Sequence, residues 1–435
     1  MYTVPKDINR ESAVTVALIQ SDDSIQRVME ELEELRLLAD TAGAEVVDSI
    51  VQRRKEVDPA TYIGSGKVKE IVNQAVELSC TLIIFNDEIT PTQLKNIRKI
   101  AGEDIKVLDR TGLILDIFAQ HARTKEAKTQ VELAHMQYLL PRLTRMWTHL
   151  ERQMGGVGTR GGPGETQIEI DRRLIMKRIT QLKSELEKID KQRQTQLQNR
   201  KEEFRVALVG YTNAGKSTLM KSLTGADVYI RDQLFATLDT TTRKMEFPKG
   251  TKILISDTVG FIHKLPHDLV ASFKSTLKEA AEANLLLKLV DASSGQVAHH
   301  IQTIEEVLMS IQLDKIESIL IFNKIDQVTD QTVMKQLKIE YPQAIFISAL
   351  RQLKLNELVD VIQNIIEKDF ITHTFKIRYS ETGILDNIYS SMIVLSRNDD
   401  DDAIDLKVRG KKSDMKSVKD KLKEMRTGLS ETLGI

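Results

Sequence analysis

The sequence predicts an α/β protein. Two units with mostly parallel sheets flanked by helices are separated by a long antiparallel helical hairpin, and a small α+β unit follows. Three observations lead there. Apolar strand-like runs alternate with amphipathic stretches over residues 1–113 and again over 204–368, the pattern of strands joined by crossover helices. Residues 114–203 instead carry two heptad seams separated by one Gly-rich loop. The second alternating stretch opens with Gly210-Tyr-Thr-Asn-Ala-Gly-Lys216-Ser217, set between an apolar run and a helical one. Residues 369–435 form the remaining unit.

In the N-terminal unit, Ala13–Ile19 is strand-like and Ile25–Ala39 is an amphipathic helix. Ala44–Val51 reads as strand, Val68–Leu78 as helix, Thr81–Phe85 as strand and Lys106–Asp109 as a short last strand. Pro91–Ile100 is helical, with Pro91 suited to a first turn, where its missing N–H costs nothing. Tyr62-Ile-Gly64-Ser-Gly66-Lys67 has the look of a phosphate loop, but Thr61 stands where its first Gly belongs and Val68 follows the Lys. It reads as the turn that starts the next helix, with a second nucleotide loop as the alternative.

In the middle region Met136, Leu139, Leu143, Met146 and Leu150 repeat at spacings of three and four, as do Ile175, Ile179, Leu182, Leu186 and Ile189. Two such helices joined by Gly155–Glu165 make an antiparallel hairpin with a Gly-rich tip. Pro141 is placed to bend the first helix. Residues 121–164 hold seven cations (Arg123, Lys125, Lys128, Arg142, Arg145, Arg152, Arg160) against Glu126, Glu132 and Glu151. With Trp147 alongside, this suits RNA backbone and base contacts. A coiled-coil spacer with a solvated face is the alternative.

The chemistry lies in 204–368. Phe204–Val209 is a strand, Thr218–Leu223 is helical, and the turn between them can close backbone N–H groups around phosphate oxygens at a helix N-terminus. Gly210, Tyr211, Thr212, Asn213, Ala214, Gly215, Lys216 and Ser217 form that loop, with Lys216 reaching the β/γ-phosphates and Ser217 ligating Mg²⁺. A second strand ends in Asp257, Thr258, Val259 and Gly260, a DxxG in which Asp257 holds Mg²⁺ through water and Gly260 brings its N–H to the γ-phosphate. A third, Ser318–Asn323, ends in Asn323, Lys324, Ile325 and Asp326. The Asp326 carboxylate matches the two N–H donors on the guanine edge, which adenine lacks, so the bound base is guanine. A fourth, Ala344–Ser348, ends in Ser348, Ala349 and Leu350, whose backbone reaches the guanine oxygen. Together these four segments predict a P-loop GTPase domain using GTP/GDP and Mg²⁺. They resemble the translation-factor-related GTPases.

Phe261 follows the DxxG. Ras-like enzymes place a water-orienting Gln there. An apolar side chain cannot polarise water, so slow intrinsic hydrolysis is expected, with the orienting group coming from the substrate phosphate, another loop or a bound partner. Core packing is the other reading of this residue.

A closer resemblance rests on the segment from Leu108 to Ala134, on the GTRGGPGETQ loop, on Phe235-Ala-Thr-Leu-Asp239, and on Asp257 to Pro266. Together they resemble the HflX family of ribosome-associated GTPases over residues 12–368. The resemblance implies an N-terminal HflX domain, a helical linker, a G domain and a variable C-terminal domain. It also implies binding to the large ribosomal subunit and splitting of stalled or idle ribosomes under stress. Contact with rRNA is expected through the hairpin tip and N-terminal domain. The FATLD match makes Phe235, Ala236, Thr237, Leu238 and Asp239 a nucleotide-contacting switch, with Thr237 joining Ser217 on the metal and Lys216, Gly260 and Phe261 in the catalytic set. Two departures stand out. Thr240 replaces the family's usual Pro, which loosens the switch, and Gly161-Gly162 stands where many relatives have one Gly. A ribosome-assembly GTPase acting on precursor subunits and a GTP switch on a protein partner are the alternatives.

Composition sets outer bounds. A hydrophobic content of 41% with 29% charged residues suits a core-forming chain. A net charge of −1 confines nucleic-acid contacts to local patches. Cys80 is the single cysteine, so no internal disulfide forms, which fits a reducing, cytoplasmic setting. No stretch reads as a membrane span, and a monomer is expected, with a fraction on ribosomes or at the membrane. In the tail, Thr374–Tyr379 and Ala403–Arg409 read as strands and Ile384–Leu395 as helix, while Leu406–Arg426 carries nine Lys/Arg. That basic face suits rRNA or a ribosomal protein, or is a solvated helix.

Overall fold

The computed structural model describes residues 10–21, 23–146, 167–198, 203–225, 234–235, 238, 241–247, 252–264, 280–368 and 370–433. The N-terminal unit runs β1 (Glu11–Ile19), α1 (Ile25–Ala42), β2 (Ala44–Arg53), α2 (Ser65–Glu77), β3 (Leu82–Phe85), α3 (Pro91–Ala101) and β4 (Lys106–Asp109). Its sheet is parallel, in the order β2-β1-β3-β4. From Ala13 to Ile19 strand β1 is buried on both faces and apolar except for Thr15, whose hydroxyl bonds to that of Ser49 (2.7 Å). Ala13, Ala17 and Ile19 pack with Leu32 and Leu35 of α1, while Val14, Val16 and Leu18 pack with Ile71 of α2 and Ile97 of α3. Helix α1 stops at Gly43, whose φ of 92° is open to glycine at no steric cost. Helix α3 begins with a Thr90–Gln93 capping box and Pro91. Of the Tyr62–Lys67 stretch, Tyr62–Gly64 leads into α2, with Gly64 as its N-cap, and the helix begins at Ser65 rather than at the expected Val68.

Helix α4 (Arg110–His121) follows β4 without a break, capped by the Asp109 side chain. Leu113, Ile117 and Phe118 are buried in the same cluster as α1. The boundary expected at 113 therefore falls inside α4, and this helix is part of the N-terminal core. Then come α5 (Lys125–Met146) and α6 (Gln167–Gln198), packed side by side as the hairpin. Arg178 clamps Glu132 across the seam with bonds of 2.6 and 2.9 Å, and Leu182 is fully buried.

One expectation about this arm is corrected. Arg142 is not available to RNA, because it is buried and donates to Asp109 (3.0 Å) and to the Ile89 carbonyl (3.0 Å). Asp109 also accepts from Tyr138 (2.7 Å), from the Gly112 N–H (2.8 Å) and from the Ile89 N–H (3.2 Å). A fully buried carboxylate needs such a set of donors. The set ties α5 to the N-terminal sheet.

The third unit comprises β5 (Phe204–Gly210), α7 (Lys216–Thr224), β6 (Thr241–Glu246), β7 (Lys252–Asp257), β8 (Leu285–Asp291), α8 (Val297–Ser310), β9 (Ser318–Asn323), α9 (Gln331–Glu340), β10 (Ile345–Phe346) and α10 (Leu355–Glu367). Its sheet order is β10-β9-β8-β5-β7-β6, parallel except for the edge strand β6. The strand expected over Ala344–Ser348 is shorter. The chain leaves the sheet after Ile347, because Ser348 exchanges backbone bonds with Leu353.

The last unit holds β11 (Phe370–Arg378), α11 (Leu385–Ser391), β12 (Ile393–Asp399), β13 (Ala403–Lys411) and α12 (Lys412–Leu433), with an antiparallel sheet in the order β11-β13-β12. The helix expected over Ile384–Leu395 ends at Ser391. The β-branched pair Ile393–Val394 is drawn into the sheet beside β13. Among the described residues no helix is long and apolar enough to cross a membrane.

Replacing Asp109 by Ala would leave the Arg142 guanidinium buried without its counter-ion. Stability should fall by roughly 3–5 kcal/mol in urea denaturation. A loss below about 1 kcal/mol would place the pair among those that solvent accommodates.

Candidate functional site

The Gly210–Ser217 loop leaves the carboxyl end of β5 in the middle of the sheet and opens α7. This is the edge at which open α/β sheets bind ligands. Two of its glycines are required by neighbours. A Cβ at Gly210 would collide with the Leu289 carbonyl on β8, and one at Gly215, where φ is 90°, would strike the Asn323 side chain. Lys216 is buried, its ammonium donating to the carbonyls of Tyr211 (2.9 Å) and Gly210 (3.1 Å). Burial pushes its pKa down to about 8, against the pull of Asp257. Ser217 donates to Asp257 at 2.6 Å.

Asp257 ends β7 fully buried, and the next residue, Thr258, anchors to the Leu208 carbonyl (2.7 Å). Val259 is buried, and Gly260 lies against the phosphate-type loop. A Cβ there would sit 2.8 Å from Thr212 Cα and 3.0 Å from Lys216 Nζ. Phe261 then zips onto the loop through its backbone. Its N–H donates to Gly210 O (3.0 Å) and its carbonyl accepts from Thr212 N (2.7 Å). Its ring packs with Ala207, Val209 and Leu286 inside the sheet unit, which is the core-packing alternative raised for this residue.

The two remaining loops meet the first through Asn323, whose amide donates to Ala214 O (2.8 Å) and accepts from Ala349 N (2.9 Å). Lys324 adopts a left-handed conformation and pairs with Asp291 at 2.8 Å. Ile325 starts a short 3-10 turn that carries Asp326 to the surface with its carboxylate exposed. Ser348 and Ala349 are buried behind it, and Leu350 is exposed.

Structure also reveals a polar network that the spacing of motifs does not show. Tyr211 donates to Glu34 of α1, accepts from the His263 N–H (2.8 Å), and stacks on His300 with ring centroids 4.0 Å apart. Burial, with Glu34 beside it, holds the phenol well above its usual pKa, so it stays a donor. Arg110, 2% exposed, donates to the same Glu34, to Asn86 Oδ1 (3.1 Å) and to the His263 carbonyl (3.1 Å). Glu31 gathers Lys264 (2.7 Å), His263 (3.1 Å) and Asn86 (2.8 Å). Burial alone would raise the Glu31 pKa, but the bonds from His263 and Lys264 outweigh it and hold the carboxyl well below the usual range. The motif marks Tyr211 only as a loop residue, and nothing local points from Tyr211 to Glu34 or from Glu31 to His263 and Lys264, because these partners lie far apart along the chain.

Apolar contacts run alongside. Leu234, Phe235, Leu238, Val259 and Ile262 share one cluster with Leu32, Leu35 and Phe118, and the Phe118 and Phe235 rings meet edge to face at 4.6 Å. The side chains of Phe235 and Leu238 thus face the N-terminal unit. Ala236, Thr237, Asp239 and Thr240 lie outside the described residues, as do Trp147, Leu150, Glu151, Arg152 and Gly155–Glu165 of the arm.

Three family models match successive parts of the chain: "GTP-binding GTPase N-terminal" at 29–119, "GTP-binding GTPase Middle Region" at 121–200 and "50S ribosome-binding GTPase" at 205–324. Among curated relatives, the GTPase HflX of Flavobacterium psychrophilum is 51% identical over 326 residues, 75% of this chain and 78% of its own. That of Caldanaerobacter subterraneus is 42% identical over 401 residues, covering 92% and 91%. That of Escherichia coli is 40% identical over 403 residues, covering 92% and 93%.

Lys216 titrates near pH 8 when folded and near 10.5 when unfolded. Between those values the unfolded chain holds a proton that the folded chain has released. Without nucleotide, stability should therefore rise from pH 8 to 10.5 relative to a Lys216→Met variant. Parallel pH–stability curves for the two proteins, from urea midpoints, would contradict the burial assignment.

Proposed function

The chain belongs to the GTPase HflX family, and on that premise we propose that it is a Mg²⁺-dependent GTPase that binds the large ribosomal subunit and splits stalled or idle ribosomes. It hydrolyses GTP to GDP and phosphate. In this reading Lys216 neutralises phosphate charge, the loop N–H groups of 213–217 cradle the phosphates, and Gly260 senses the γ-phosphate. Asn323 braces the base loop, and Asp326 with the Ser348–Leu350 backbone selects guanine. The paired hydroxyl and carboxylate of Ser217 and Asp257, 2.6 Å apart, are hard oxygen donors suited to Mg²⁺. Bound there, the ion would supply charge neutralisation at the phosphates, with Thr237 as the second protein hydroxyl by the family match.

The observation that carries the switch is the docking of 261–264 onto α1 and α4 through Tyr211, Glu34 and Arg110. Loss of the γ-phosphate removes what holds Gly260. The segment behind it is bonded to the same helix that caps at Asp109, and Asp109 holds α5. The arm therefore feels the nucleotide state through contiguous bonds. The ribosomal target draws support from the "50S ribosome-binding GTPase" match and from the arm's remaining cations, with the Gly-rich tip as the contact. The protein would act in the cytoplasm as a monomer.

Pelleting with ribosomes should be stronger with a non-hydrolysable GTP analogue than with GDP. Deleting Gly155–Glu165 should abolish splitting in light scattering while nucleotide affinity stays within about twofold. Full splitting by the deletion variant would defeat the tip assignment, and binding to precursor particles alone would redirect the function to assembly.

Asp326→Asn should weaken GTP and favour xanthosine triphosphate, because an amide donor meets the xanthine 2-carbonyl. Unaltered GTP affinity in competition binding would overturn the guanine assignment.

A further inference from the structure

The Phe261 ring is committed to the core, so the group that orients the attacking water must lie elsewhere. Thr212, packed against Gly260, is the candidate. It is 6% exposed, and its hydroxyl has no hydrogen-bond partner among the described residues. A buried hydroxyl left unsatisfied is costly, so its position argues for a partner that arrives with the substrate. Its Cα and Cγ2 lie against Gly260, each 2.8 Å from where a Cβ on that glycine would be, and Lys216 Nζ lies 3.0 Å from the same point. Its N–H bonds to the carbonyl of Phe261, which fixes Thr212 against the residue standing where Ras-like enzymes carry Gln.

We propose that the Thr212 hydroxyl is a catalytic residue of the GTPase reaction, orienting the water that attacks the γ-phosphate. This rests on the GTPase reading above. As an acceptor it fixes the water, while its own hydrogen is donated to a γ-phosphate oxygen. The water oxygen bonds to the γ-phosphorus as the bond from that phosphorus to the β,γ-bridging oxygen breaks. The electron pair leaves with GDP, and a water proton passes to a γ-phosphate oxygen. Thr212 is unchanged at the end, and its role is positional, which suits a group that cannot ionise near neutrality.

The test compares Thr212→Val, which keeps the shape and loses the hydroxyl, with Thr212→Ser, which keeps the hydroxyl. Single-turnover hydrolysis and GDP affinity are measured on the full chain with Mg²⁺. Val should slow the chemical step about tenfold with GDP affinity unchanged, and Ser should retain most of the rate. Three outcomes overturn the role: Val as fast as wild type, Ser as slow as Val, or Val losing GDP affinity in proportion to rate. A wild-type chain that does not hydrolyse GTP would sink the GTPase reading itself, which separates the two failures.

Discussion

A guanidinium buried to 2% exposure has to be neutralised where it lies, and Arg110 imposes that requirement on the whole molecule. Its partners come from three places: Glu34 on α1, Asn86 after β3, and the carbonyl of His263 beyond the DxxG. Glu34 is shared with Tyr211 of the phosphate-type loop. The N-terminal and nucleotide units therefore cannot separate at this point without stranding a charge. The surrounding Phe118–Phe235 contact adds apolar area to the same joint.

The residue before Arg110 does the matching work on the other side. Asp109 accepts from Tyr138 and Arg142 on α5 while capping α4. Asp109 at the cap and Arg110 at the start of one helix thus hold the arm and the segment that follows the DxxG respectively. A displacement of α4 moves both, because neither ion pair can stretch cheaply in a buried setting. Proline at 141 does not separate the arm from its base, since Arg142 is locked to the sheet one residue later.

Within the nucleotide unit, close backbone approach is the organising constraint. Gly210, Gly215 and Gly260 each sit where a methyl group would meet Leu289, Asn323 or Thr212. Asn323 spans the gap between the phosphate-type loop and the Ser348–Ala349 turn. It is a brace between loops that are 109 and 26 residues away from it in sequence.

The sequence alone determined the α/β class, the four motif loops and the two-helix arm, because each is written in short-range signals: alternation, heptads, and glycines at set spacing. Residues such as Gly210, Lys216 and Asp257 could be proposed from the sequence because phosphate chemistry demands those types in that order, and the structure places them around one loop. The misread stretches are those where local preference was weak and a neighbour decided. Ile393–Val394 became strand because β13 offered an edge, and Ser348 left the sheet because Leu353 took its bonds. Arg142 counted as a surface charge until a buried carboxylate 33 residues away claimed it. Glu34, Arg110, Tyr211 and His263 become a single network only in three dimensions, since their pairing depends on two units meeting face to face. No local pattern encodes which buried charge will find which partner across such a joint.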